Sequence, residues 1–73
     1  MAIIDIKTEI TGSVSKVLAK PGQKVAEDEA IVILESMKME IPVSPPESGT
    51  VKEILIAEGE VVTEGSVVAR LEV

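Results

Sequence analysis

The apolar residues of the 73-residue chain fall into short runs separated by turn signals, and no stretch holds a convincing helical period. Residues 3–7, Ile-Ile-Asp-Ile-Lys, mix β-branched and charged residues and read as a strand. Residues 12–18, Gly-Ser-Val-Ser-Lys-Val-Leu, read as a second strand opened by a glycine. Lys20-Pro21-Gly22-Gln23 is a turn, because proline presets the first corner and glycine accepts a positive φ. Val25 begins a short segment that ends in the polar turn Glu27-Asp28-Glu29. Ala30 to Glu35 is apolar enough for a mostly buried strand. Residues 39–43 alternate as a half-buried strand does. Ser44 to Gly49 holds adjacent prolines and reads as a loop. Ala26 to Glu35 comes nearest to a helix, but its Ile31-Val32-Ile33 run is β-branched.

From Gly49 the pattern repeats. Set 37 residues apart, Gly12/Gly49, Val14/Val51, Leu18/Leu55, Gly22/Gly59, Val25/Val62, Glu27/Glu64, Leu34/Leu71 and Glu35/Glu72 are identical. The glycines are read as turn residues with positive φ, and the matched apolar residues as core. Each copy is strand, turn, short strand, turn, strand, with one apolar face it cannot bury alone. Two copies, 12–35 and 49–72, bury each other's faces. With residues 3–7 and 39–43 added, about eight short strands are expected, as in a sandwich or closed barrel.

Between the copies lies Glu35-Ser36-Met37-Lys38-Met39-Glu40. With Met37-Lys38 as a two-residue hairpin loop, Ser36 opposes Met39, Glu35 opposes Glu40, Leu34 opposes Ile41 and Val32 opposes Val43. Directly opposed residues share a face, so the apolar pairs face the core and the two glutamates lie together on the other side. Two local rules are broken. A type I′ turn needs positive φ twice and prefers Asn-Gly or Asp-Gly. Like charges opposed across strands repel. Broken rules clustered at one place point to function.

Composition narrows the function. There is no Cys and no His, which removes disulfides, thiolate chemistry and the commonest general base. No aromatic residue is present to stack on bases, and the net charge of −6 opposes phosphate backbones, so no nucleic-acid partner is expected. The longest uninterrupted apolar run, Ala30 to Leu34, is far short of a membrane span. Residues 1–10 carry acidic residues and no apolar signal core, so no signal peptide and a cytoplasmic location are expected. The whole chain, 1–73, is expected to be one domain.

A lysine on a loop tip is ordinarily only solvated, methionine is ordinarily a gap filler, and paired glutamates can simply screen a lysine. Lys38 differs in sitting at the centre of an internal repeat, on a turn whose residues suit it poorly. Lys7, Lys16, Lys20, Lys24 and Lys52 have no such setting and read as solvated surface.

The central motif, followed by Ile41-Pro42 and Ser48-Gly49-Thr50-Val51, resembles the biotin-attachment domain of biotin-dependent carboxylases. The resemblance runs from about Ile3 to Val73 and includes the Pro21-Gly22 and Glu58-Gly59 turns. Related lipoyl domains carry the lysine in the same hairpin, typically between an acidic and a small residue, so Met37 and Met39 point to biotin.

The resemblance implies a flattened barrel of two four-stranded antiparallel sheets with quasi-twofold symmetry. It implies biotin joined by an amide to Lys38 Nζ by a biotin protein ligase, and carriage of CO₂ from a biotin carboxylase to a carboxyltransferase. It gives Met37 and Met39 a part in carboxylation and ligase selectivity, and places Glu35, Ser36 and Glu40 in the segment the ligase inspects. No catalysis by the domain itself is implied. No insertion exists for the protruding thumb of some bacterial carriers. Thr11-Gly12-Ser13-Val14 replaces a more usual Met/Ala-Pro-Gly-Thr, and Pro45-Pro46-Glu47 is unusual. A lipoyl carrier and an unmodified interaction module of the same fold are the alternatives. The second copy has no counterpart of Lys38, so the termini are expected at the end opposite the hairpin.

Overall fold

The computed structural model describes residues 2–73. It contains eight strands: β1 Ile3–Lys7, β2 Gly12–Val17, β3 Lys24–Val25, β4 Val32–Ser36, β5 Met39–Val43, β6 Gly49–Ile54, β7 Val61–Val62 and β8 Val67–Glu72. They form two four-stranded antiparallel sheets, ordered β1-β8-β6-β3 and β5-β4-β2-β7. The all-β architecture with two four-stranded sheets agrees with the expectation.

The two copies do not each make a sheet. β3 of the first pairs with β6 of the second, and β7 of the second pairs with β2 of the first. The exchange is repeated bond by bond at the 37-residue spacing. Val14 N donates to Glu60 O and Val51 N to Gln23 O, each at 2.8 Å. Gly22 N donates to Val51 O and Gly59 N to Val14 O. Even the irregularities match, because β2 slips register at Ser15 against β4 and β6 slips at Lys52 against β8.

The correspondence also reaches beyond 12–35 and 49–72. Ile4 pairs with Leu71 and Ile41 with Leu34, so β1 and β5 are equivalent at the same spacing. Thr8 and Pro45 are then equivalent, and both are buried. Thr8 Oγ1 bridges Ile10 by donating to its carbonyl and accepting from its amide, while proline closes the corresponding corner by its fixed φ.

The glycines divide into two kinds, which corrects the reading of all of them as positive-φ turn residues. Gly22 and Gly59 have φ of 90° and 89°, and Gly65 has 88°. Gly12 and Gly49 open strands instead. A Cβ on Gly12 would stand 2.6 Å from the carbonyl oxygen of Glu35, and one on Gly49 would stand 2.6 Å from that of Glu72. Close approach of neighbouring strands, not turn geometry, requires glycine there.

The core is Val, Ile, Leu and Ala from both sheets; Ile31, Val32, Leu34, Val68 and Leu71 are fully buried. Outside it, Arg70 on β8 donates to Asp5 on β1 and Glu53 on β6, at 3.2 and 2.7 Å. The hydrogen bond to Glu53, then that to Asp5, raises the Arg70 pKa above its ordinary value.

Ala2 and Val73 exchange backbone hydrogen bonds next to the Ile3–Glu72 pair. β1 starts there, and its far end leads through residues 8–11 to Gly12, against Glu35 and Ser36. The described chain ends therefore lie at the opposite end of β1 from the lysine hairpin; Met1 lies outside the described residues. No helix among the described residues is long and apolar enough to cross a membrane.

Candidate functional site

The hairpin between β4 and β5 has the anticipated register. Ser36 pairs with Met39, Glu35 with Glu40, Leu34 with Ile41 and Val32 with Val43. Val32 and Leu34 are fully buried and Val43 is nearly so, which anchors both strands in the core. Met37 and Lys38 form the two-residue loop, with φ of 53° and 66°. They are the only non-glycine residues with positive φ among those described. Both strand ends are fixed by the ladder, so the loop must take the type I′ form despite its side chains. A non-glycine residue in this left-handed region costs roughly 1–2 kcal/mol, so the core packing beneath it holds a strained tip in place.

The tip is open. Lys38 is exposed, Met37 is 91% exposed and Met39 is 63% exposed. Among the described residues, the ion pairs are those of Arg70, and none involves Lys38. A surface groove of about 230 Å³ lies lower down, between the β1–β2 connection and β5, and is lined by residues such as Ile10, Ile41 and Pro42. Lys38 is not part of it, so the amine stands on a free projection.

The structure brings Glu35 and Glu40 together as an exposed pair on the outer face. Neither forms an ion pair with the lysine ammonium. Glu40 Oε2 instead accepts from Ser15 Oγ at 3.4 Å, across β4. Ser15 is the residue at which β2 slips register. Glu40, Glu35, Ser13 and Val61 make one row across the sheet, in the order β5, β4, β2, β7. Ser36 is half-buried in the next row, with Gly12 beneath it.

Sequence reasoning missed Ser15, Val61 and the supporting part of Gly12. The two-residue strand β7 gives no periodicity that would place Val61 near the hairpin. Gly12 had a signal, its match to Gly49, but a repeat match does not distinguish a turn from a close approach.

Residues 3–71 match a family model described as "Biotin-requiring enzyme". The chain belongs to the biotin/lipoyl attachment family. This attachment domain is 41% identical over 66 residues to the biotin/lipoyl attachment protein of Bacillus subtilis, covering 90% of each chain. It is 37% identical over 65 residues to the biotinylated protein TB7.3 homolog of Mycobacterium leprae, covering 89% of this chain and 92% of that one. In solved structures it resembles part of the Kluyveromyces lactis urea carboxylase, with a TM-score of 0.92, 32% identity, and coverage of 99% of this chain and 6% of that one. It also resembles the lipoyl domain of the Azotobacter vinelandii 2-oxoglutarate dehydrogenase complex, with a TM-score of 0.77, 33% identity, and coverage of 94% and 95%. The attachment domain is thus homologous to the biotin carrier parts of carboxylases and to lipoyl domains alike.

A covalent acyl group fits the residues present. An exposed primary amine on a two-residue tip, with no side-chain partner among the described residues, is open to an acylating partner.

Proposed function

We propose that the domain is a biotin carboxyl carrier, with Lys38 as its attachment point. The observation that carries this reading is the position of Lys38 on a free, strained turn between two exposed methionines. A biotin protein ligase presents biotin as an activated acyl group. Lys38 Nζ, as the neutral amine, bonds to the acyl carbon, loses a proton and releases the activating group. The amide carries no charge, so the flanked tip loses its one cation and suits entry into an apolar pocket.

When bound, biotin supplies a ureido nitrogen that takes up and releases CO₂. The chain's own contribution is mechanical and recognitive. The β4–β5 ladder keeps the tip rigid, and the lysine stem provides reach. Met37 and Met39 offer apolar surface on both sides, while Glu35 and Glu40 on the outer face and Ser36 beside them belong to the segment the ligase reads. Biotin carboxylase and carboxyltransferase sites are the proposed partners, and the domain itself performs no chemistry. The carboxylase relationship supports this context.

A lipoyl carrier is the second reading, favoured by the likeness to a lipoyl domain over nearly its full length. Co-expression with a biotin protein ligase in one culture and a lipoate ligase in another, read by intact mass, decides between them. The biotin reading expects one biotinyl group per chain in the first culture and the unmodified mass in the second. Lipoylation without biotinylation would overturn it.

A further inference from the structure

We propose that Met37 and Met39 are a peroxide-sensitive modification site that controls whether Lys38 can be acylated. The proposal rests on the carrier reading above. Its physical basis is a separation of chemistries within the chain. The sequence holds no Cys, Trp, Tyr or His, and its three methionines are Met1, Met37 and Met39. Two of the three most readily oxidised side chains therefore flank the lysine. Both are open to solvent, Met37 at 91% and Met39 at 63%. The core is Val, Ile, Leu and Ala, which peroxide leaves alone. An oxidant thus changes the tip without touching what holds the fold together.

The step is a simple oxygen transfer. A lone pair on Sδ attacks one oxygen of hydrogen peroxide, and the O–O bond breaks. The sulfur gains that oxygen and gives up two electrons, and the second oxygen leaves as water. The product is a polar, chiral sulfoxide in place of an apolar thioether. Sulfoxides at both positions enclose Lys38 in strongly hydrated groups. A ligase site that covers the apolar flanks must then strip water from them. The step is reversed by methionine sulfoxide reductases, which makes it a switch rather than damage.

The test uses the full chain. Trypsin separates the three methionines, since Met1 falls in the peptide 1–7, Met37 in 25–38 and Met39 in 39–52. The unmodified chain is treated with hydrogen peroxide over a time course, and each sulfoxide is quantified in its own peptide. Portions are then given to biotin protein ligase, with and without prior reduction by methionine sulfoxide reductase. The expected result is an unchanged melting temperature, with Met37 oxidised no more slowly than Met39. Biotin loading falls about tenfold, or roughly 1.4 kcal/mol, in step with the two hairpin sulfoxides, and the reductase restores it. Loading of the doubly oxidised chain within about twofold of the untreated chain overturns the proposal. Failure of the untreated chain to load biotin is instead failure of the carrier reading. The same time course with lipoate ligase then decides the gating claim.

Discussion

Glu35 and Glu40 stand directly opposite each other on β4 and β5, exposed, one residue pair below the Ser36–Met39 pair that closes the lysine hairpin. At the equivalent place near the chain ends, Glu72 faces Ile3 instead. The quasi-twofold fold thus carries a doubled carboxylate only at its lysine end. Ser15 holds Glu40, and no described cation neutralises either glutamate.

That pairing predicts opposite effects on stability and recognition. Glu35→Gln removes a like-charge repulsion and is expected to stabilise the fold at pH 7 by about 0.2–1 kcal/mol. The gain shrinks at high salt because the pair is exposed. The same substitution, and Glu40→Gln, are expected to lower kcat/KM for biotin protein ligase. Chemical denaturation at two salt concentrations and ligase kinetics check this; unchanged kinetics for both variants would remove the glutamates from the recognition face.

Met37 predicts a conflict between a comfortable turn and a usable one. At φ 53° it occupies a position that Asn tolerates better. Met37→Asn is expected to stabilise by about 1 kcal/mol, which raises Tm by roughly 4–8 °C. It also removes half of the apolar flank and is expected to slow biotin loading. Thermal unfolding and a loading assay on one preparation read both effects.

Gly12 and Gly49 allow stability to be separated from function. Either alanine places a Cβ 2.6 Å from a backbone oxygen of the adjacent strand. Each is expected to destabilise by about 1–3 kcal/mol, measured by urea unfolding. Gly12→Ala disturbs Glu35 and Ser36, and is expected to slow acylation under folding conditions as well. Gly49→Ala acts beside Glu72, Leu71 and Val73, and is expected to leave acylation of the folded chain unchanged.

The same separation holds for side chains. Met37→Ala and Met39→Ala, at exposed positions, are expected to change stability by less than about 0.5 kcal/mol. Leu34→Ala empties a fully buried site beneath the hairpin and is expected to cost about 2–5 kcal/mol. Denaturation midpoints of the three variants check the ordering.

The hairpin register was fully legible in the sequence, because Val32, Leu34, Ile41 and Val43 must share the core face and a slip by one residue would expose them all. The strained turn was legible too, as a mismatch between Met-Lys and the geometry forced on it. Strand exchange was not, since Lys24–Val25 and Val61–Val62 are too short to show any period. The equivalence of β1 and β5 was hidden because, at the 37-residue spacing, Ile4/Ile41 is the one identity within residues 3–7 and 40–44. Pairing partners and neighbouring layers carry that information, and a single chain read in order does not. The choice of Ser15 rather than Lys38 as partner of Glu40 likewise depends on where the β2 irregularity falls.

The most direct measurement of the central claim is a peptide map of the chain after incubation with biotin protein ligase, ATP and biotin. Acylated lysine resists trypsin, so modification at Lys38 should fuse peptides 25–38 and 39–52 into a single 25–52 peptide carrying one biotinyl group. Lys38→Arg should then take up no biotin while keeping the same melting temperature. A biotinyl group on Lys7, Lys16, Lys20, Lys24 or Lys52, or loading of the Lys38→Arg chain, would contradict the account.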